Sequence, residues 1–479
     1  MLFVAPEFAS FFLVVLLVGW LLRQHPTAWK TFMLAASIFF YGWWKHTTDD
    51  WSLAGISWLP RYAVYLLIFA TVNQALAQLA GRTRGSSSRY VVALACAFDL
   101  GALFYFKYFE WARGVANDWF HAGFTPTNII LPIGVSFIAF QGLGYVIDVH
   151  RGTIEPVDTL DFFTYLFFFP HLVAGPLVRV GEFVPQIHRR ADPREVDASR
   201  AFLLIASGFV KKVIISSYVF KHVVEPVFAN PKGFGGVDNL FAAYGYSVQI
   251  FCDFSGYTDI AIGLALLLGI RFPQNFDNPY RAQSIQDFWR RWHMSLSRWL
   301  RDYLYIGLGG NRQGELRTYV NLFLTMFIGG IWHGANWTFI IWGTIHGGAM
   351  VIERFLVSMF GNPTHPVAKA ARWLLTFHVV TLAWVFFNAR NASVAFELLG
   401  RIAHLLWLDT GQASQYVTIL LIVTIVAVVA LQFVPDELAP QIVARFSAIH
   451  PAAQGALVGI VMILCYRIGS VDDFIYFQF

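Results

Sequence analysis

Charge is what this sequence has least of. Only 13% of its 479 residues are Asp, Glu, Lys or Arg, about half the ~25% of a soluble domain. Cysteine is as sparse: Cys96, Cys252 and Cys465 stand far apart. That spacing excludes a disulfide framework and the known redox or metal motifs, and the three read as small buried apolar residues. No cleavable signal precedes the apolar run Phe11–Leu22, which has neither a basic leader nor a small-residue cleavage site. It reads instead as a first transmembrane helix. Internal repeats, inverted symmetry of the transporter kind and heptads are absent. No HExxH or GxSxG motif occurs, and Gly307–Gly310 is a turn signal rather than a dinucleotide fingerprint.

What is present is apolar. The chain is 57% hydrophobic and 17% aromatic, with a mean hydropathy of +0.55, and many of its runs approach the ~20 residues a bilayer demands. These features predict an all-α polytopic membrane protein of roughly 11–13 membrane segments, with re-entrant pieces and interfacial amphipathic helices. It is expected to be a single membrane-embedded domain: N-terminal spans over 1–128, a core over 129–390 and C-terminal spans over 391–479. The net charge of +5 fits cytoplasmic loops and anionic headgroups. Nucleic acid is not an expected partner, because no soluble module carries an aromatic–basic ladder.

Spans are expected at 9–22, 31–44, Tyr62–Ala80, 90–109 and 129–147, and later at 372–388, 415–434 and 453–468. Arg82, Arg84 and Arg89 form the clearest positive-inside loop. With that loop cytoplasmic, the N-terminus and the acidic loop at Asp49 and Asp50 lie outside. Gly134, Gly142 and Gly144 read as packing glycines that let helices approach in lipid. Pro170, Gly175 and Pro176 break an apolar run into a kinked or re-entrant piece, and its His171 reads as structural.

Two polar features sit where lipid forbids them. Lys211 and Lys212 lie inside AFLLIASGFVKKVIISSYVF, where each costs about 2.5–3.5 kcal/mol at a bilayer centre. They either serve a function or snorkel to an interface. Asp253 and Asp259 lie in a run too long for one ordinary span, Phe241–Ile270. They face protein or water, as functional carboxylates or as bundle-holding ones.

The chain is organised around residues 281–346. Read as one helix from Asp287 to Leu304, this stretch gathers Asp287, Arg290, Arg291, Arg298 and Arg301 on one arc. Phe288, Trp292, Trp299 and Tyr303 take the opposite side. That is the pattern of an interfacial helix, and it turns His293 inward beside Leu296, Leu300 and Leu304. An inward histidine is a hydrogen-bonded core residue unless a second reactive group lies near.

A candidate second group appears forty positions later. His333 stands in FLTMFIGGIWHGANWTFIIWG, flanked by Trp332, Gly329, Gly330 and Gly334, with Asn336 three residues on. Burial favours a neutral imidazole, which accepts a proton, and the glycines are expected to leave room for a substrate. The alternative is a satisfied helix-packing histidine. The two histidines are not spaced as metal ligands, and no metal site is expected.

These residues carry a resemblance. The stretches YGWWK (41–45), LPIGVSF (131–137), YVIDVHRG (145–152), FPHLVAGPLVR (169–179), GFVKKV (208–213) and DFSGYTDIAIG (253–263) resemble the membrane-bound O-acyltransferase (MBOAT) family. So do DFWRRWHMSLSRWLRDYLYIGLGGNR (287–312) and IWHGANWTFIIWGTIHG (331–347). The likeness is to its bacterial branch of alginate-acetylating and D-alanyl-transferring proteins, covers about residues 1–390, and lies nearer the acetylating members. Cys252 departs from it, where an aromatic residue is more usual. The resemblance implies catalytic roles for His333 and His293. It also implies an acyl group taken from a cytoplasmic donor, acetyl-CoA or another acyl thioester, with no bound cofactor. The acyl group then passes, through periplasmic acetyltransferase partners, to a polysaccharide such as alginate or cellulose outside a bacterial inner membrane. Candidate substrate-binding residues are Arg290, Arg291, Trp292, Arg298, Asp253, Trp332 and Asn336. For the arginines, donor phosphate and lipid headgroups are equal alternatives. The alternatives are D-alanyl or peptidoglycan O-acyl transfer and, outside acyl transfer, a non-catalytic channel or export subunit.

Overall fold

The computed structural model describes residues 2–43, 61–83, 86–127, 129, 131–173, 175–189, 192–405 and 416–469. Asp49, Asp50, Arg84 and the aromatic ending 471–479 lie outside the described residues. Every regular element among the described residues is helical.

Seven described helices are long and apolar enough to cross a membrane: Ala63–Arg82, Ser87–Phe120, Ala198–Ala229, Gly236–Leu267, Trp337–Phe360, Pro366–Asn388 and Pro451–Ile468. Three shorter apolar ones are Pro6–Leu22, Val135–His150 and Ile419–Leu431. Several open on proline, as at Pro6, Pro26, Pro366 and Pro451, where a missing N–H costs nothing and the fixed φ suits the first turn. Their outer faces are apolar. Leu13, Leu17 and Leu21 on the first helix, and Leu420, Val423 and Val426 on Ile419–Leu431, are all more than half exposed. In water that surface would aggregate; facing lipid, it is the expected coat of a multi-pass membrane protein.

The chain divides into two compact units, one of 1–201 with 260–273, the other of 202–259 with 274–479. In the first, Arg61–Arg82 and Ser86–Leu103 both pack on Val135–His150. Gly142 meets the Asn73 side chain, and a Cβ there would come within 2.8 Å of it. Gly134 has φ +74°, and a Cβ would lie 2.7 Å from Leu172 O, so the helix begins at Val135, six residues after the expected start of that span. The proline-rich run breaks at Phe168, between short helices Thr159–Phe167 and Phe169–Leu172. His171 is fully buried among Tyr165, Phe168, Phe183 and Phe272.

In the second unit residues 236–259 belong to the Gly236–Leu267 helix, which runs 32 residues, about 48 Å at 1.5 Å per residue, and 89% of its most apolar window is buried. Beside it the chain takes a π-helical turn, Val210–Ser216, and Gly256 lets the two backbones meet: a Cβ would sit 2.8 Å from Gly208 O. The helices Glu315–His333, Trp337–Phe360 and Pro366–Asn388 pack successively against one another in the same unit.

Candidate active site

The central stretch is not one helix. Ile285–Arg291 ends at Trp292, which is extended, and His293 takes the left-handed conformation at φ +43°, ψ +54° before Met294–Trp299 begins. A π-helical turn, Leu300–Tyr305, follows. The single arc of arginines expected over 287–304 is therefore divided between two helices.

The break is held from a distant strip of chain. Asn275, buried completely, donates nothing to it through its side-chain oxygen but accepts three times. Its Oδ1 takes the Ser295 backbone N–H at 3.1 Å, the Ser295 hydroxyl at 2.9 Å and His293 Nδ1 at 3.3 Å. The Met294 N–H donates to Asn275 O at 2.9 Å, and the Asp277 N–H to Arg291 O at 2.9 Å. Asn275 thus caps the second helix in the manner of an N-cap residue, although it lies 18 positions upstream of His293. Left-handed backbone at a non-glycine residue costs of order 1–3 kcal/mol, and these bonds offset it.

His293 is buried as expected, though the broken backbone rather than a helical arc turns it inward. Its ring stands edge-on to Phe254, centroids 4.7 Å apart. Trp292 extends an aromatic stack through Phe288 (5.5 Å), Phe276 (5.0 Å) and Trp384 (4.9 Å).

The arginines behave individually. Arg291 forms ion pairs with Asp287 at 2.8 Å and Asp277 at 3.2 Å, so it braces the break. Arg290 is exposed and Arg298 half-buried. Arg301 pairs with Asp302 at 2.7 Å. Asp253 is buried and paired with Lys212, and Asp259 with Lys211. The lysines therefore neither snorkel nor stand alone: two ion pairs join the π-helical turn to the long helix.

His333 ends the Glu315–His333 helix and is 5% exposed. Aromatic rings wall it: Trp332 and Trp342 at 4.9 Å, Phe387 at 5.1 Å and Phe339 at 6.4 Å between centroids. The neighbouring glycines do not open space for a substrate. A Cβ on Gly330 would lie 2.5 Å from Phe339 O and 2.8 Å from Gly343 Cα, and one on Gly343 2.7 Å from Met326 O. They bring the helix of His333 against the helix of Trp342. Asn336 is the N-cap of that second helix: Oδ1 accepts from the Thr338 N–H at 3.1 Å and Nδ2 donates to Arg390 O at 2.8 Å.

Trp292 ties the two histidine regions together. It contacts Trp384, which meets Phe387 at 5.2 Å, and Phe387 contacts His333. Sequence reasoning missed a third histidine in this stack. His346 is fully buried, 4.8 Å from Trp342 and 5.3 Å from Trp289. The signal available was its place one turn beyond Trp342 on the same helical face.

A family model described as MBOAT, membrane-bound O-acyltransferase family, matches residues 145–394, more than half the chain. The Pseudomonas putida protein named "Probable alginate O-acetylase AlgI" is 41% identical over 375 residues, 77% of this chain and 73% of that one. A Helicobacter pylori peptidoglycan O-acetyltransferase is 33% identical, covering 83% of this chain and 79% of its own. A Bacillus subtilis teichoic acid D-alanyltransferase is 31% identical, covering 55% of this chain and 70% of its own.

Proposed function

The chain belongs to the membrane-bound O-acyltransferase family, and from that premise we propose that it transfers acetyl groups destined for the hydroxyls of a polysaccharide outside the bacterial inner membrane. The donor is an acyl thioester taken from the cytoplasmic face, acetyl-CoA first among them. Periplasmic acetyltransferase partners complete delivery, and the N-terminus lies on their side.

The observation that carries this reading is the setting of His333, a histidine buried in an aromatic wall between two helices held together at glycines. A neutral imidazole there removes the proton from an acceptor hydroxyl as its oxygen attacks the thioester carbonyl. The thiol then leaves with a proton. General-base catalysis of this kind contributes about 10²–10⁴ in rate. His293, with its Nδ1 proton committed to Asn275, presents Nε2 as a second proton acceptor. Trp332 borders His333, and Arg290 is exposed, suited to a donor phosphate.

Peptidoglycan is the second acceptor to weigh, because the relative named for it covers 83% of this chain. The chemistry is the same, transfer to a sugar hydroxyl. Acetyl content of exopolysaccharide and of peptidoglycan, measured in strains with and without the protein, separates the two. We expect one polymer to lose its acetyl esters and regain them on complementation. Unchanged acetylation of both, with D-alanyl esters lost instead, would overturn the acetyl reading.

A further inference from the structure

Resting on that reading of His333, we propose that His346 and Trp342 form the oxyanion-binding site of the transfer reaction, their Nε2–H and Nε1–H groups donating to the acyl carbonyl oxygen. The premise is a tautomer. The Trp289 indole N–H, a donor only, points to His346 Nδ1 at 3.3 Å. Nδ1 must therefore accept, and the single proton of the neutral ring sits on Nε2. That Nε2–H is buried and has no acceptor among the described residues. Nor has the buried indole Nε1–H of Trp342, one helical turn away on the same face, whose ring lies 4.8 Å from His346 and 4.9 Å from His333.

Buried donors are paired in more than nine cases of ten, and leaving one unpaired costs about 1–3 kcal/mol. Here two such donors lie on successive turns of one helix, and the ring of the first, Trp342, is next to His333. Placing unpaired donors where charge develops is how an oxyanion is stabilised, because they are oriented before reaction and need no reorganisation. The electron count is simple. The acceptor oxygen bonds to the carbonyl carbon while His333 takes its proton. The carbonyl π pair moves onto oxygen, where Trp342 and His346 donate to it. Collapse restores the carbonyl and breaks the C–S bond, and the thiolate takes the proton from His333. Trp289 is a positioning residue, acting only through the His346 tautomer.

The test uses the full-length protein in detergent together with its periplasmic acetyltransferase partners, acetyl-CoA and an oligosaccharide acceptor, and compares wild type with Trp342→Phe, His346→Leu and His346→Gln. Trp342→Phe keeps the aromatic ring and removes only the donor. We expect Trp342→Phe and His346→Leu each to lower kcat about 10²–10³-fold, with KM for acetyl-CoA near wild type. His346→Gln, which keeps an N–H, should recover at least about tenfold of that loss. Affinity for an acyl phosphonate, a mimic of the tetrahedral oxyanion, should fall in parallel with kcat, which a packing role would not cause. Wild-type kcat in Trp342→Phe, or unchanged phosphonate affinity in a slowed variant, would overturn the proposal. If wild type itself transfers no acetyl group, it is the acetyltransfer reading that fails.

Discussion

Oδ1 of Asn275 lies 3.3 Å from Nδ1 of His293, and this contact decides which nitrogen of the ring carries the proton. The same oxygen accepts from the Ser295 backbone N–H, so it is the carbonyl end of the amide and cannot donate. His293 therefore donates through Nδ1. His346 has the opposite tautomer, because it accepts from Trp289 at Nδ1. One membrane-embedded unit thus holds an acceptor nitrogen on one histidine and a donor nitrogen on another.

Asn275→Ala should destabilise the protein by about 1–3 kcal/mol, because it leaves buried donors of Ser295 and His293 without their acceptor. It should also slow acyl transfer by freeing the His293 tautomer. Thermal unfolding in detergent and a transfer assay on the same preparation check both. A fully stable and fully active variant would show that the break at 292–293 needs no such cap.

The Lys212–Asp253 pair is buried on both sides. Lys212→Met alone should cost about 3–5 kcal/mol, since it strands a carboxylate in the protein interior. Adding Asp253→Asn should return much of that loss. A double variant as unstable as the sum of the singles would mean that the pair is not coupled.

Gly330→Ala should destabilise by about 1–3 kcal/mol through overpacking against Gly343, while Gly348→Ala, with nothing within 4 Å of its added carbon, should leave unfolding unchanged. Equal unfolding of the two variants would contradict the close helix approach.

Outside the spans, Arg281 and Asp436 form a two-pronged pair at 2.8 and 3.1 Å. The hydrogen bond from Arg281 holds the Asp436 carboxyl below its ordinary value. A depressed carboxylate lends stability above its unfolded pKa of about 3.9, and that stability is lost as pH falls through the lower folded value. Unfolding curves of wild type and Asp436→Asn should therefore differ slightly at neutral pH and converge in that acid window. A difference that persists below it would assign the effect to something other than this ionisation.

The membrane class and the family were legible because hydropathy and motif length are local properties. The break at His293 was not. Neither glycine nor proline marks it, and its cap comes from Asn275, across a loop. Lys211 and Lys212 showed as costly residues, but their partners lie 48 and 41 positions away, beyond any periodicity. The glycines around His333 were visible, yet their purpose depended on Gly343 of the facing helix. His346 was passed over because its meaning rests on Trp289, 57 residues upstream.

The most direct measurement is the acetyl-transfer rate of His333→Ala beside wild type, at matched amounts of folded protein in the membrane. The account predicts a loss of at least about 10²–10⁴-fold with unfolding temperature essentially retained. Transfer at the wild-type rate would show that His333 is a packing residue and that another group is the base.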